Sequence, residues 1–174
     1  STTEASMRNG QWTPLMGSLL ATKTIGLIGL GRIGNAVANL AQAFGTRVVA
    51  FDPVVKAHQF VHLATLEEVL EQADIVSLHV PITEETFHLI DAQSLARMKQ
   101  GAFIVNVSRG GLIDESALEQ ALKSNHLAGA ALDCFENEPY DGTLLQLSNV
   151  HVTAHMGSYA RETRDLMEVE ASTN

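Results

Sequence analysis

The stretch TIGLIGLGRIGNAVANLAQAFGTRVVAFD, residues 24–52, carries the chain from one apolar run through a helical pattern to a second apolar run. TIGLIG (24–29) reads as a buried strand, RIGNAVANLAQAFG (32–45) spaces its apolar side chains at helical intervals, and RVVAFD (47–52) is apolar until it ends on Asp52. Between strand and helix stand Gly29, Gly31 and Gly34. A lone GxGxxG is weak evidence. Placed after a strand, at the opening of a helix, and about twenty residues before an acidic residue at the tip of the next strand, it is the dinucleotide fingerprint. The glycines permit a tight turn and close packing, so that a pyrophosphate can meet the unpaired N–H groups at the helix's amino end. Asp52 is then expected to accept hydrogen bonds from the adenosine ribose and to repel a 2′-phosphate, which favours NAD over NADP.

The same rhythm continues outward. DIVSLHV (74–80), GAFIVNVS (101–108), LAGAALDC (127–134) and VHVTA (150–154) are nearly continuous apolar runs, as strands covered on both faces require. TLEEVLEQA, DAQSLARM and DESALEQALKSN are helical, and Thr65 with Glu68, and Asp114 with Ala117, mark N-caps, the first a full capping box. Strand and helix in repeated alternation predict an α/β fold, a doubly wound parallel sheet of Rossmann-like type. Residues 1–21, with RNGQWTP, lack the rhythm and read as a linker from a substrate domain that this chain does not hold. Residues 22–156 form the dinucleotide-binding domain, and 157–174 start a return helix towards that other domain.

Composition limits the partners. Among 174 residues, 20 acidic side chains oppose 11 Lys and Arg, giving a formal net charge of −9. That balance provides no basic face for nucleic acid or an anionic membrane surface. No apolar run approaches the roughly 18 residues of a membrane span. A soluble, cytoplasmic protein with a small-molecule or protein partner is expected, and the single Cys134 excludes an internal disulfide. GSLLATKT (17–24) approaches a P-loop but fails twice: Thr22 stands where a glycine is needed, and its Lys-Thr leads into a strand rather than a helix. The His151/His155 and His58/His62 pairs lack the further ligands of a metal site, so no metal is expected.

In an open parallel sheet the ligand lies beyond the carboxyl ends of the strands. Those ends read HVP (79–81), VSRGG (107–111), LDCFENEP (132–139) and TAHMGS (153–158). With the glycine fingerprint they make the sequence resemble the nucleotide-binding domain of the D-isomer-specific 2-hydroxyacid dehydrogenases, over essentially the whole chain. The resemblance implies a hydride-transfer site built from Arg109, Glu138 and His155, with NAD as cofactor and a small 2-hydroxy or 2-keto acid as substrate. It implies backbone of Arg32 and Ile33 at the pyrophosphate, Val80 and Pro81 on the adenosine side, and Val107 and Ser108 along the nicotinamide ribose. It places Asp133 and Gly157 near the nicotinamide, and it implies a homodimer formed through this domain, with the isolated domain inactive. Ala154, where the family usually has a proline before the histidine, and Thr22, where it has a glycine, are departures that affect loop geometry more than chemistry.

These residue types suit the reaction. Hydride arriving at a keto carbon leaves negative charge on the oxygen, which needs a proton. An imidazole, with a reference pKa of about 6.5, is the candidate acid, and a carboxylate beside it favours the charged form. A guanidinium offers a planar fork for the substrate carboxylate, which a lysine reproduces less well. The alternative is a non-catalytic module that uses NAD occupancy to control assembly, as corepressor relatives of the family do.

Overall fold

The six apolar runs read from the sequence are all strands, each shorter than its run by one to three residues. The computed structural model describes residues 2–173. The strands are β1 (Thr24–Ile28), β2 (Arg47–Phe51), β3 (His62–Leu63), β4 (Ile75–Leu78), β5 (Ala102–Asn106), β6 (Leu127–Leu132) and β7 (Val150–Val152). They form one sheet in the order β3-β2-β1-β4-β5-β6-β7, and every neighbouring pair is parallel. The expected doubly wound Rossmann-like sheet is what forms. Its order reverses beside β1, with β2 and β3 on one side and β4 to β7 on the other.

The helices are α1 (Thr2–Arg8), α2 (Arg32–Ala43), α3 (Leu66–Gln72), α4 (Ala92–Arg97), α5 (Glu115–Lys123) and α6 (Arg161–Thr173). Local chemistry starts three of them. Thr65 Oγ1 accepts the Glu68 N–H (3.2 Å) while Glu68 Oε2 accepts the Thr65 N–H (2.9 Å), completing the box at α3. Asp91 accepts the Ser94 N–H at α4 (2.8 Å), and Asp114 accepts the Ala117 N–H at α5 (3.0 Å).

Two apolar clusters lie on opposite faces of the sheet. The larger packs α3, α4 and α5 against β1 and β4 to β6, with Ile28, Val76, Leu78, Ile104, Leu118 and Leu122 fully or almost fully buried. Each such side chain contributes roughly 1.5–3 kcal/mol relative to exposure. The smaller joins Leu27, Val48 and Ala50 to Ala38 and Ala41 of α2. Gly26 permits the closest helix–sheet approach, since a methyl there would meet Ala73 Cβ at 2.7 Å and Val69 Cγ1 at 2.8 Å.

Three features differ from the sequence reading. β3 is a two-residue strand at the sheet edge, too short to leave a periodic pattern. The segment read as a linker carries one short helix, α1, with an exposed Arg8–Glu4 pair of 2.7 Å one turn apart. The strands are also not covered on both faces throughout. The register puts Phe103 and Val105 on the same face as Leu27, where α2 covers only β1 and β2, and Phe103 remains 48% exposed.

One contact inside this fold matters for everything built on it. Gly110 lies so close to the Phe135–Glu136 peptide that a methyl group at its Cα would overlap that backbone. Gly111, its neighbour, faces only side-chain ends, the Phe87 ring at 3.2 Å and Ile82 Cδ1 at 3.4 Å. Gly110→Ala is therefore expected to cost about 2 kcal/mol or more by forced backbone displacement, lowering the melting temperature by roughly 4–8 °C. Gly111→Ala should lower it by less than half of that. Equal losses in thermal melts of the two variants would contradict this packing.

Candidate active site

Every chemically interesting residue lies on the carboxyl edge of the sheet, because parallel strands all end there. Gly29 follows β1 with φ +99°, its N–H bonded to Phe51 O (2.8 Å), and a methyl on it would meet His79 O at 2.7 Å. Gly34, in the first turn of α2, rests on the Gly29 carbonyl with no room for a side chain, whereas the space around Gly31 is open. α2 begins at Gly31 without a capping side chain. Its first amides, those of Arg32 and Ile33 included, are thus available to an external acceptor. An open, uncapped helix start behind a glycine turn fits a pyrophosphate.

Asp52 sits at the tip of β2 as expected, but its carboxylate already has internal work. Oδ2 accepts the Leu30 N–H (2.7 Å), and Oδ1 accepts the Val54 and Val55 N–H groups (2.8 and 3.0 Å). Partial burial raises its pKa, but those N–H groups and nearby Lys56 outweigh the burial and hold the carboxyl below its ordinary value. Asp52 therefore stays charged beside the glycine turn and clasps that turn to β2.

On the other side of the switch point, Val80 and Pro81 follow β4, and Ser108 Oγ donates to Val80 O (2.6 Å), joining the loops after β4 and β5. Asn106, 1% exposed at the end of β5, accepts the Ser108 N–H (3.1 Å) and donates to Arg109 O (2.8 Å). These bonds shape the turn that presents Arg109. The Arg109 side chain is exposed, with Nη1 donating to Ser108 O (2.7 Å). Val107 is half exposed on the same edge.

Glu138 and His155 come together. His155 Nδ1 lies 2.9 and 3.0 Å from the two Glu138 oxygens, and Glu138 Oε1 also accepts the Phe135 N–H (3.0 Å). The imidazole first and that N–H second hold the Glu138 carboxyl below its usual value. With Nδ1 directed at the carboxylate, Nε2 is the nitrogen left for a substrate. His155 itself adopts φ +49°, an uncommon left-handed conformation.

Asp133 explains how that conformation is held. Its carboxylate accepts the Thr153 hydroxyl, the Met156 N–H (3.0 Å) and the Gly157 N–H (3.1 Å), so the residues on both sides of His155 hang from one side chain. Burial raises the Asp133 pKa, but these donors and His155 bring it below the ordinary value. The edge thus unites the His155–Glu138 pair, while Arg109 stands on the adjoining loop without a direct bond to either. The Asn106 turn and the Gly110 contact are functional features the sequence reading missed. An asparagine inside the apolar run AFIVNV was the available signal for the first. Cys134, buried beneath the site, has its thiol pushed up to about 11 by burial first and by Asp133 and Glu138 second, so it is inert packing. Among the described residues no group of three or more His, Cys, Asp or Glu could hold a metal ion.

Comparison with known proteins agrees with this architecture. The description "D-isomer specific 2-hydroxyacid dehydrogenase, NAD binding domain" matches residues 1–157. A glyoxylate reductase of Korarchaeum cryptofilum is 44% identical over 172 residues, which are 94% of this chain and 52% of that protein. A D-3-phosphoglycerate dehydrogenase of Bacillus subtilis is 43% identical over 166 residues, covering 91% of this chain and 32% of that protein. The crystal structure of D-lactate dehydrogenase from Aquifex aeolicus complexed with NAD and lactic acid superposes with a TM-score of 0.91 at 30% identity, covering 98% of this chain and 58% of that one. The chain thus spans about half or less of the curated relatives it matches. With a glycine turn that leaves α2 open, a charged Asp52 at the tip of β2 and a His–Glu pair on the same edge, the chain belongs to the D-isomer-specific 2-hydroxyacid dehydrogenase family, as its NAD-binding domain.

Proposed function

We propose that this domain serves an NAD-dependent D-2-hydroxyacid dehydrogenase acting on a small 2-hydroxy or 2-keto acid. The observation that carries the reading is the His155–Glu138 pair, 2.9 Å apart, on the same sheet edge as the glycine turn and Arg109. When bound, the nicotinamide supplies or takes the hydride. His155 donates a proton from Nε2 to the substrate oxygen, or removes it in the oxidising direction. Glu138 orients the ring through the bond at Nδ1. Arg109 grips the substrate carboxylate with its planar fork and polarises the adjacent carbonyl. Val80 and Pro81 line the adenosine side, Val107 and Ser108 the nicotinamide ribose, and Asp133 and Gly157 the nicotinamide end. The complete pair of acid and orienting carboxylate favours an enzyme over a purely NAD-responsive module.

The flanking segments 1–21 and 157–174 connect this domain to the substrate domain. Exposed Phe103 (48%), on the sheet face that α2 leaves uncovered, supports self-association through this domain as a homodimer. Sedimentation at high protein concentration should show a dimer, and a clean monomer would oppose that part of the reading. The acidic charge and the single buried cysteine support a cytoplasmic setting.

Calorimetry should show binding of NAD(H) and discrimination against NADP(H). Asp52 remains charged and faces the adenosine side, so a 2′-phosphate meets repulsion there. Asp52→Ala should narrow the difference and also loosen the glycine turn, since Leu30, Val54 and Val55 lose their acceptor. Equal affinity of the unaltered protein for the two cofactors would remove the assignment.

In protein that includes the remainder of the cleft, His155→Ala should lower turnover on the order of a hundredfold or more with NADH affinity unchanged. Arg109→Lys should chiefly raise KM for the keto acid. Glu138→Gln should lower turnover, because a neutral amide fixes the ring less firmly than the carboxylate that lies 2.9 Å from Nδ1. The pH window follows from Glu138, whose pKa is lowered by the imidazole and the Phe135 N–H: its carboxylate persists at all pH values above the ordinary carboxylate range and is lost only as pH falls through its depressed value. The Glu138→Gln difference should therefore be complete between pH 6 and 8. Superimposable pH profiles of Glu138→Gln and wild type, with His155→Ala inactive, would break the central pair.

A further inference from the structure

Three loops meet beneath the site, and one side chain spans them. The loop after β4 runs along the loop after β5: His88 N–H donates to Gly111 O (2.8 Å), Ile90 N–H to Leu112 O (3.0 Å) and Asp114 N–H to Ile90 O (3.0 Å). His88 is thus anchored to the segment that carries Arg109. Its ring stacks on Phe87, with centroids 4.0 Å apart, and its Nε2 reaches Glu136 Oε1 at 2.7 Å. Glu136 lies two residues before Glu138, and its N–H is held by Glu115 Oε1 (2.8 Å). Phe135, on the other side, donates its N–H to Glu138.

We propose that His88 is a positioning residue, a strut that fixes the Glu138-bearing loop against the Arg109-bearing loop and so sets the separation between the carboxylate grip and the proton donor. The proposal rests on the catalytic reading of Arg109, Glu138 and His155. Three observations support the strut. His88 holds φ +51°, an uncommon conformation that aims the ring across the gap. The backbone contact between Gly110 and the Phe135–Glu136 peptide brings the two loops together but constrains only one point. Glu115 holds the Glu136 main chain, and the His88–Glu136 bond fixes the side chain from the loop after β4, so that the two together oppose rotation about that contact. The pair is also about one-third exposed, at 33% and 27%, so it adds little to global stability, and its effect is local.

The test compares two substitutions. Asn tolerates the left-handed backbone well but is too short to reach Glu136, whereas Gln fits that backbone less well yet can place an amide N–H where Nε2 stands. In the 174-residue chain, His88→Asn should speed hydrogen exchange of the Phe135 and Glu136 amides at least severalfold, with the core amides of β5 unchanged, and His88→Gln should restore protection. In protein with the completed cleft, His88→Asn should lower kcat about tenfold, leave NADH affinity within twofold, and be rescued by His88→Gln. The His88→Asn/Glu136→Ala double variant should be no worse than either single one. Exchange unchanged in His88→Asn, parallel acceleration of the core, failure of Gln to rescue, or additive effects in the double variant would each overturn the strut. Failure of the catalytic reading is separately visible: unaltered protein with a completed cleft would then reduce no 2-keto acid, while the exchange result would stand or fall by itself.

Discussion

A hydrogen atom is the largest group that Gly34 can carry, because the first turn of α2 rests directly on the carbonyl of Gly29. The rest of the cofactor edge depends on this contact. The amino end of α2 is left uncapped beside it. The Gly29 N–H continues the β1–β2 ladder to Phe51 O, and at φ +99° the chain then turns toward α2. Asp52 follows immediately and clasps Leu30. On the opposite flank the His79 N–H bonds Ile28 O, so β4 leaves the sheet at the same level. The glycine turn, the open start of α2 and the clasp of Asp52 on Leu30 meet at this one close approach.

The other half of the edge is built by a similar principle with different atoms. Gly110 admits the Phe135–Glu136 peptide, Asn106 shapes the Arg109 turn from below, and Asp133 suspends the chain on both sides of His155. The Gly110 contact and the Asp133 bonds join adjacent strand ends, while the Asn106 bonds stay within the loop after β5. The sheet register sets which ends are adjacent, pairing Asn106 with Leu132 and Leu132 with Val152. Three carboxylates, those of Asp52, Asp133 and Glu138, are held charged on this edge although the chain already carries a net charge of −9. The edge tolerates them because each accepts backbone N–H groups or faces the imidazole. That leaves the Arg109 guanidinium and the start of α2 as exposed positive features for an anionic ligand.

Much of this was legible because its causes are local. Apolar runs gave six of the strands, Thr65–Glu68 and Asp114 gave two helix starts, and GLGRIG gave the glycine turn that opens α2. What escaped notice depends on tertiary contact. Two residues of β3 become a strand only through pairing with Val49 and Ala50 of β2. Phe103 reads as core from its neighbours, yet the face it shares with Leu27 is covered by α2 only over β1 and β2. The proximity of Glu138 and His155 was anticipated by resemblance. The means of holding it, with Asp133 reaching Thr153, Met156 and Gly157, joins residues twenty or more positions apart and leaves no trace in spacing. Gly110 looked like one of two equivalent glycines, and only the packing shows that it differs from Gly111.

Positioned groups are not yet a working site, and their exposure shows what else the chemistry requires. The His155 and Glu138 side chains are 45% and 38% exposed, and Arg109 is exposed. At such exposure the medium is close to water, where unit charges 4 Å apart interact by only about 1 kcal/mol. A guanidinium has five N–H donors, and Arg109 commits one of its nitrogens to Ser108 O, so its fork has capacity for a carboxylate but no shelter in which the grip is strong. Orientation is supplied by the sheet edge, through bonds that do not depend on burial. On such a preformed, hydrated ledge, charge–charge attraction reaches full strength only where water is excluded.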